Sequence, residues 1–500
     1  MSDPIPWPAE RLVAQLGWWS AKRGALYRLL ADALVELIDS GRLPARAALP
    51  PDRVLADRLA VGRTTVVAAY DLLRESGRLE RHQGKGTWVA AAGADERSGG
   101  AASTTNPLFL AYLSSPDRVL PLACTASHGP PPVLAEAYAA ALAMLPVASR
   151  GTGYHPLGHR ALREAVAGRY ETVGIATTPD QILVSNGGQQ ALALLARFLV
   201  SPGDRVLVPV PCYPGALEVF REAGADLVTV PASSAGLDVE AWIQAVNTTK
   251  PRAAYLNLTH HNPTGTTVPG LVRRRLAEVA AARGVALIDD TVLDELGFAG
   301  PMPVQGWAEG SGARIFTVGS LSKTVWGGLR VGWIRGGQTD IAVLAGLKAV
   351  SDLGGPVLEQ LAASLLVPDL ATIARQRGAE LRQHHDHLRA ELAAQLPEWE
   401  VSPVAGGQCL WVRLPETDAT QFAQVAMRHG VVVLPGVSFA PDGQYGDRLR
   451  IPFTAPTNDL TDAVRALAAA WSSYRHGGAE AAYSPDQPLG ELAPAAFTLS

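Results

Sequence analysis

The chain has 500 residues, which exceeds the size at which one hydrophobic core stops growing, so two or more domains are expected. A composition of 47% hydrophobic and 18% charged residues excludes global disorder. We find no run of about 20 apolar residues and no secretory signal pattern, so we expect no membrane span and a cytoplasmic protein. The cysteines, Cys124, Cys212 and Cys409, share no close spacing, which excludes a disulfide scaffold or a cysteine-rich zinc site.

The charge is distributed unevenly along the chain. A formal net charge of −4 argues by itself against nucleic acid as a partner. Residues 17–90, however, contain 12 basic and 8 acidic residues, whereas the rest of the chain contains 31 basic and 39 acidic residues. A basic front on an acidic body fits a nucleic-acid-binding module, although an ordinary solvated surface gives the same bias.

The first 90 residues predict a small domain of helices and a hairpin. Apolar periodicity predicts a helix over 21–40, a short helix over 51–60, and a second helix that begins at Arg63 and ends at Gly77. Residues 78–90 alternate around a Gly-Lys-Gly centre, which predicts a hairpin. This order is that of a winged helix-turn-helix, which we assign to residues 17–90. The buried face of its second helix is expected to carry Val66, Ala69, Tyr70 and Leu73.

Five residues of this domain are candidates for contacting DNA. The N-terminal end of a recognition helix meets base edges in the major groove, where Arg63 can bind guanine with two hydrogen bonds. Thr64 and Thr65 suit phosphate or base contacts, and Arg53 is placed for a backbone phosphate. Lys85, between two glycines at the wing tip, can approach the backbone or the minor groove. Taken singly, each of them is equally well explained as a surface residue.

Residues 25–90 resemble the GntR-family DNA-binding domain along their whole length. The matching pieces are the L-Y-R opening, the G-R-L-P stretch, the L-P-x-x-R start of the turn motif, the R-T-T-V-x-x-A-Y helix and the G-x-G-T wing. The resemblance implies double-stranded DNA as a partner.

The remaining chain predicts a linker, an α/β body and a tail. Residues 91–106 are small and polar, which favours a flexible linker. From 107 to 472, β-like and helical segments alternate, which predicts a mainly parallel sheet with helices on both faces. After about residue 350 the pattern changes to long helices and a small strand set, typical of a smaller α+β subdomain. Residues 473–500 are rich in Ala, Pro and Gly, and we expect them to be disordered.

One lysine lies in a local sequence that suits covalent attachment of a cofactor. The chain has only five lysines: Lys22, Lys85, Lys250, Lys323 and Lys348. Lys323 follows the strand-like RIFTVG directly and is flanked by small residues, as a Schiff-base lysine in a shaped pocket requires. On its own, it is also explained as a surface lysine.

Other polar residues follow strand-like segments in the same domain. The turn formed by Gly187, Gly188 and Gln189 can hold a phosphate with its backbone amides. Further candidates are Tyr213 for stacking on a planar ring, Asn262 for donating to a phenolic oxygen, Asp290 for pairing with a protonated pyridine nitrogen, Ser320, Ser322 and Arg330 for a phosphate, and Arg450 for a substrate carboxylate. Packing, a turn, a helix cap or a surface ion pair would explain each of them separately.

In their order along residues 107–472, these motifs resemble the fold-type I aminotransferases. The resemblance implies pyridoxal 5′-phosphate (PLP) bound to Lys323 as a Schiff base, and it implies the cofactor and carboxylate contacts just described. Tyr154, in GYHPLGHRALREAV, matches the family's tyrosine that reaches the phosphate of the neighbouring subunit, which implies a homodimer. Asp289 competes with Asp290 for the pyridine nitrogen, and we prefer Asp290 because it fits the D-x-x-Y strand end. The tyrosine of that pattern is Leu293 here, which cannot donate a hydrogen bond.

A GntR-type winged helix, a linker and an aminotransferase-like domain in this order resemble the MocR (GabR-like) regulators. The resemblance implies a transcriptional regulator whose large domain senses an amino compound or PLP. The alternative is a working aminotransferase, converting an amino acid to a 2-oxo acid, with an accessory DNA-binding domain. Asn262 and Arg450 favour catalytic competence, whereas Leu293 and the complete DNA module favour regulation.

Overall fold

The computed structural model describes residues 5–21, 24–82, 86–90, 119–126, 129–148, 151–233, 236–300 and 312–476. The predicted linker over 91–106, Lys85 at the wing tip, and the predicted tail from residue 477 onward lie outside the described residues.

The N-terminal domain has the predicted winged-helix organisation. Its strands pair in the order β1-β2-β4-β3, and the buried residues of its second turn-motif helix are Val66, Ala69, Tyr70 and Leu73, as the periodicity predicts. The elements in chain order are β1 (Ile5–Pro6), α1 (Ala9–Leu16), α2 (Leu26–Asp39), β2 (Ala47–Ala48), α3 (Asp52–Leu59), α4 (Arg63–Glu75), β3 (Leu79–His82) and β4 (Gly86–Val89).

Helix α1 extends the core of this domain toward the N-terminus of the chain. Leu12, Val13 and Leu16 are buried in the same core as the residues of α2, α3 and α4, together with Trp7 and Trp19. The apolar spacing of i, i+3, i+4 and i+7 in AERLVAQL is that of an amphipathic helix. The packed unit therefore includes residues ahead of position 17.

The body begins with a large mixed sheet in the strand order β6-β13-β12-β11-β10-β7-β8-β9. Strands β12, β11, β10, β7 and β8 run parallel to one another, while β13 runs antiparallel to both β12 and β6, and β9 runs antiparallel to β8. The elements are α5 (Pro132–Ala148), α6 (Arg160–Thr172), β6 (Ile182–Ser185), α7 (Gly188–Leu199), β7 (Arg205–Val210), α8 (Pro214–Glu222), β8 (Asp226–Ser233), β9 (Gly236–Leu237), α9 (Val239–Thr249), β10 (Ala253–Leu256), α10 (Gly270–Arg283), β11 (Ala286–Asp290), β12 (Ile315–Ser320), β13 (Gly332–Arg335), α11 (Gln338–Asp352) and α12 (Val357–Leu366). The predicted α/β class, with its mainly parallel sheet, is confirmed.

The inner strands of this sheet are buried on both faces. Every residue of β10 and β11 is buried, which fits their apolar stretches AAYL and ALI. The carboxyl ends of the parallel strands share one edge of the sheet. Because β13 runs in the opposite direction, Arg330, just ahead of β13, lies at this same edge.

The smaller subdomain packs three helices against a second sheet, with the strand order β14-β15-β17-β16-β5. Strand β5 belongs to a segment far ahead of the others in the chain, yet it pairs in parallel with β16. The elements are β5 (Leu120–Leu122), α13 (Leu370–Gln395), β14 (Glu400–Val401), β15 (Cys409–Arg413), α14 (Ala419–Arg428), β16 (Val431–Pro435), β17 (Arg448–Pro452) and α15 (Thr457–Arg475). The stretch Val357–Gln395 is long and apolar enough to cross a membrane. However, 56% of its most apolar 18-residue segment is buried in the protein, as in a core helix.

The winged-helix domain rests on helix α14 of the small subdomain. Arg58 on α3 forms an ion pair with Asp418, which caps α14, at 3.1 Å. The indole nitrogen of Trp19 donates to Oε1 of Gln424 at 3.1 Å. These contacts join residues more than 350 positions apart in sequence, so the linker does not by itself determine where the winged helix lies.

Arg428 makes the most specific of these contacts. Its guanidinium donates to the carbonyls of Leu59 and Ala60 at 3.2 and 2.7 Å, where α3 ends and Ala60 adopts a left-handed conformation. A cation at a helix C-terminus is favourable because it meets carbonyl groups that have no partner within the helix. Burial lowers the pKa of Arg428 to about 10, which leaves the guanidinium charged at neutral pH.

We expect Arg428→Met to loosen the winged helix from the small subdomain. Losing two charge-assisted hydrogen bonds lowers the free energy of docking by about 1–3 kcal/mol. Hydrogen exchange should become about tenfold faster in residues 52–61 and 419–430 and should stay unchanged in the large sheet. Arg465→Met is the matched control, because its ion pair with Asp462 is exposed. Unchanged exchange in residues 52–61 would contradict this contact.

Candidate functional site

A cavity of about 650 Å³ lies at the carboxyl edge of the large sheet, closed on one side by residues 406–409 of the small subdomain. This volume is within the range of small-molecule sites, and the strand ends of an α/β sheet are where such sites occur. The residues predicted from sequence that line the cavity are Gly188, Gln189, Tyr213, Asn262, Asp290, Ser320, Ser322, Lys323 and Arg330.

Lys323 presents its amine to this cavity. Its Nζ donates to the carbonyl and the hydroxyl of Thr125, at 3.2 and 3.1 Å. Burial lowers the pKa of the Lys323 amine, although nearby thiols and Asp290 act in the opposite direction. A lowered pKa increases the fraction of neutral amine, which is the form that attacks an aldehyde. Leu293 also lines the cavity, but its side chain has no hydroxyl. The hydroxyl that contacts the Lys323 amine belongs to Thr125 instead.

Asp290 is the carboxylate of strand β11 that lines the cavity, and Asp289 is not among the lining residues. Successive strand residues point to opposite faces, which separates the two. The hydroxyl of Tyr255 donates to Oδ2 of Asp290 at 2.7 Å, and the amide of Val292 donates to Oδ1 at 3.2 Å. Burial raises the pKa of Asp290 to about 6, although both hydrogen bonds favour the charged form. A nearby cation would stabilise this carboxylate.

A cradle for an anion lies at the start of helix α7. Gly187 has a φ of +81°, and a Cβ atom on it would stand 2.8 Å from Nη2 of Arg330. Arg330 itself donates to the carbonyl of Asn186 at 2.6 Å. Ser320 and Ser322 join at 2.9 Å between their hydroxyl oxygens. Glycine thus leaves space between a helix N-terminus, a guanidinium and two hydroxyls, which together suit a phosphate.

Tyr213 and Gln189 hold each other at the cavity wall. The Tyr213 hydroxyl donates to Oε1 of Gln189 at 3.1 Å, and Nε2 of Gln189 donates to the carbonyl of Gly215 at 2.9 Å. A Cβ atom on Gly215 would stand 2.5 Å from the Tyr213 ring, so glycine permits this ring position. Burial raises the pKa of Tyr213, so its phenol stays protonated.

Asn262 is held where the two parts of the body meet. Its backbone amide donates to Oδ1 of Asn257 at 2.8 Å, and Sγ of Cys409 lies 3.9 Å from its Oδ1. Asn257 in turn donates to the backbone carbonyl of Asp290 at 2.8 Å. This chain of contacts fixes the loop after β10 beside Asp290.

Two predicted residues lie away from the cavity wall. Tyr154 has an exposed fraction of 64% and does not line the cavity of its own chain. Arg450 is only 4% exposed, and its Nη2 donates to the carbonyl of Ala123. Arg450 therefore contacts the segment that carries the lining residues Cys124 and Thr125. Its Nε has no partner among the described residues.

Sequence reasoning did not identify several lining residues. Tyr255 and Asn257 are two positions apart on the segment AAYLNLT. On a strand such residues share one face, so this spacing could have indicated that both face the site. Thr125 and Gln408 carry no such signal, because the folding of distant segments brings them to the site. The lining residues in this group are Thr125, Tyr255, Asn257, His260, His261, Trp326 and Gln408.

The predicted DNA-contacting residues share one end of the turn motif. Arg63 and Thr64 are exposed at the start of α4, Thr65 is partly buried, and Arg53 is exposed on α3. Nε of Arg63 lies 2.9 Å from Oδ2 of Asp52 in an ion pair, and the Arg63 side chain is 54% exposed. A bound guanine would have to compete with the Asp52 carboxylate for the Arg63 guanidinium, or share the guanidinium with it.

We expect Asp290→Asn to change how the stability of the cofactor-free protein depends on pH. The buried carboxyl has a higher pKa in the folded protein than in the unfolded chain, so the folded state loses stability as pH rises from about 4 to about 6. Asparagine removes this loss, which amounts to about 3 kcal/mol. Denaturant unfolding at pH 4.5 and pH 7.5 measures it, with the exposed Asp226→Asn as control. If the native and Asp290→Asn proteins followed parallel pH profiles, burial would not control this carboxyl.

Comparisons with known proteins agree with the two-part organisation. The family model for aminotransferase class I and II matches residues 124–467, and the model for bacterial regulatory proteins of the gntR family matches residues 26–89. YisV, an uncharacterised HTH-type transcriptional regulator of Bacillus subtilis, is 27% identical over 479 residues, covering 91% of this chain and 98% of YisV. The probable rhizopine catabolism regulatory protein MocR of Rhizobium meliloti is 31% identical over 325 residues, covering 62% of this chain and 65% of MocR.

Among solved structures, the α-aminoadipate aminotransferase LysN of Thermus thermophilus, complexed with N-(5′-phosphopyridoxyl)-L-leucine, is similar to the body. It matches with a TM-score of 0.63 and 27% identity, over 72% of this chain and 94% of that one. The match supports the fold and a PLP-type site in the body. The chain therefore belongs to the aminotransferase class I and II family, carries a gntR-family domain ahead of the aminotransferase domain, and has the organisation of the MocR-type regulators.

Proposed function

We propose that this chain is a PLP-dependent, DNA-binding transcriptional regulator that senses an amino compound in the Lys323 cavity. One observation carries the proposal. The small subdomain supplies residues 406–409 to the cavity wall and also supplies helix α14, on which the winged helix rests. The same subdomain thus contacts both the cavity and the winged helix.

The residues around the cavity fit PLP. Lys323 would hold the cofactor covalently, and the Gly187 cradle with Arg330 would take its phosphate. Asp290 would face the protonated pyridine nitrogen. This buried carboxylate forms no ion pair with the described residues, so the nitrogen would supply its counter-charge. The other contacts would come from Tyr213 at the ring face, Asn262 at the ring hydroxyl, and Gly188, Gln189, Ser320 and Ser322 at the phosphate. When bound, PLP supplies a reactive carbonyl and an electron sink for amino compounds.

The chain's own groups would orient the amino compound. Burial favours the neutral Lys323 amine, which can accept a proton, and the hydrogen bonds to Thr125 fix the position of its Nζ. Arg450 has a buried guanidinium beside Ala123, its Nε has no hydrogen-bond partner among the described residues, and it would bind the ligand's carboxylate.

Coupling to DNA would follow from a shift between the two parts of the body. A ligand that contacts both the large sheet and the small subdomain favours one relative position of the two, by as much as its affinities for the two positions differ. Because Arg428 attaches α3 to the small subdomain, the winged helix would move with it. Couplings of this kind are typically about 1–3 kcal/mol.

A homodimer fits the same scheme. Tyr154 is exposed and lies away from its own cavity, as expected of a side chain that completes the phosphate site of a partner subunit. Two winged helices in a dimer would then contact two half-sites on one face of the DNA.

A working aminotransferase is the second candidate. The similarity to LysN over nearly the whole of that enzyme, and the polar set around Lys323, favour it. Leu293 opposes it, because a leucine cannot assist proton movement beside the amine. Sustained product formation from an amino donor and 2-oxoglutarate, over many turnovers, would favour this candidate over a sensor.

We expect Lys323→Ala to abolish covalent attachment of PLP. The purified native protein should show a visible absorption band after incubation with PLP and retain the cofactor after borohydride reduction, and the variant should show neither. Lys250→Asn is the control, since Lys250 is exposed and asparagine tolerates its positive φ. Retention of reduced cofactor by the Lys323→Ala protein would refute the assignment.

We expect Arg63→Ala to weaken binding to operator DNA and to relax its sequence preference. Loss of a bidentate base contact costs roughly 1–3 kcal/mol, or about 5- to 150-fold in affinity. Electrophoretic shifts on the protein's own upstream DNA at one fixed salt concentration measure this effect. Arg74→Ala, exposed at the far end of the same helix, is expected to have little effect. Equal losses in both variants would indicate a general charge effect instead.

A further inference from the structure

One part of the cavity wall carries polar atoms without hydrogen-bond partners among the described residues. They are both amide atoms of Gln408, both ring nitrogens of His260 and Nε2 of His261. These residues are only 3%, 2% and 6% exposed, and all three line the cavity. Buried polar groups are normally paired, so these atoms, which line a cavity, are available to bind a ligand.

These three residues, the polar patch, lie on two loops that contact each other. The backbone at Gly406 packs so closely on His260 that a Cβ atom there would stand 2.3 Å from Cε1 of the imidazole. Gln408 follows two residues later, and Sγ of Cys409 lies 3.9 Å from Oδ1 of Asn262. The patch therefore lies between the loop after β10 and the start of β15, on the small-subdomain side of the cavity.

The patch is uncharged at neutral pH. Burial lowers the pKa of His260 and of His261 to about 4 in each case, so both imidazoles are neutral and each can donate and accept. The charged lining residues, Asp290, Lys323 and Arg330, all have roles toward the cofactor in the proposed function. No charged side chain among the described lining residues is left for the ligand's own side chain.

This inference rests on the proposed function. We propose that Gln408, His260 and His261 form the subsite for the side chain of the sensed amino compound, and that this side chain is neutral and hydrogen-bonding: a carboxamide or a hydroxyl. Such a group matches donors and acceptors on the patch. An ionised side chain would be buried without a counter-charge, and an aliphatic one would leave the polar atoms unpaired.

Near-isosteric amino acids test the subsite. The PLP-loaded native protein is titrated with L-glutamine, L-glutamate and L-methionine, and separately with L-threonine and L-valine, while the visible spectrum of the cofactor reports binding. The best neutral polar ligand should bind about tenfold or more tightly than its charged and apolar counterparts. Gln408→Met should reduce this preference to about twofold or less and leave PLP binding intact. Gln338→Met, on the exposed surface of α11, should keep the preference.

Two results would overturn the subsite. One is a native protein that binds glutamate, methionine or valine as tightly as their neutral polar counterparts. The other is a Gln408→Met protein that keeps the full preference. If Gln408→Met does not load PLP, His260→Phe replaces it, with the same expected loss, and the native ranking still decides. Failure of the proposed function looks different: the native protein then takes up no PLP, or its DNA binding ignores PLP and amino compounds.

Discussion

The structure depends on burying an amine and a carboxyl together at one edge of the large sheet. Burial lowers the pKa of Lys323 and raises that of Asp290 to about 6, so both groups are held in an environment that disfavours their charged forms. A ligand that brings a positive ring nitrogen to Asp290 and a carbonyl to Lys323 relieves both. The cofactor-free protein is thus less stable than the same fold with its site filled. A ligand that binds in the cavity shifts the folding equilibrium toward the folded state by mass action.

The small subdomain connects the cavity to the winged-helix domain. Residues 406–409 close the cavity, and the subdomain that carries them also carries α14. Arg428 reaches from α14 to the last carbonyls of α3, the helix immediately ahead of Arg63. Under the proposed function, a rigid-body shift of this subdomain would carry a change at the cavity to the winged helix without a long chain of small adjustments.

Sequence patterns predicted the parts of the protein that local chemistry controls. Periodicity predicted the buried face of α4 and the strands of the large sheet. A sequence motif predicted the setting of Lys323. Contacts between distant segments escaped prediction. The Arg428 contact joins residues 368 positions apart, and Thr125 meets Lys323 across 198 positions. Arg450 donates to the carbonyl of Ala123, a contact that arises because β5 joins the small sheet from far ahead in the chain. The polar patch at Gln408 likewise exists only where two loops meet.

The most direct test of the account is the affinity of the purified protein for its own upstream DNA, measured with PLP alone and with PLP plus a saturating amino compound. The account predicts that the amino compound changes this affinity by about 5- to 150-fold. It also predicts that the change disappears in Lys323→Ala while DNA binding itself remains. An affinity that is the same with and without the amino compound, in a protein that demonstrably holds PLP, would contradict the claim that the cavity controls the winged helix.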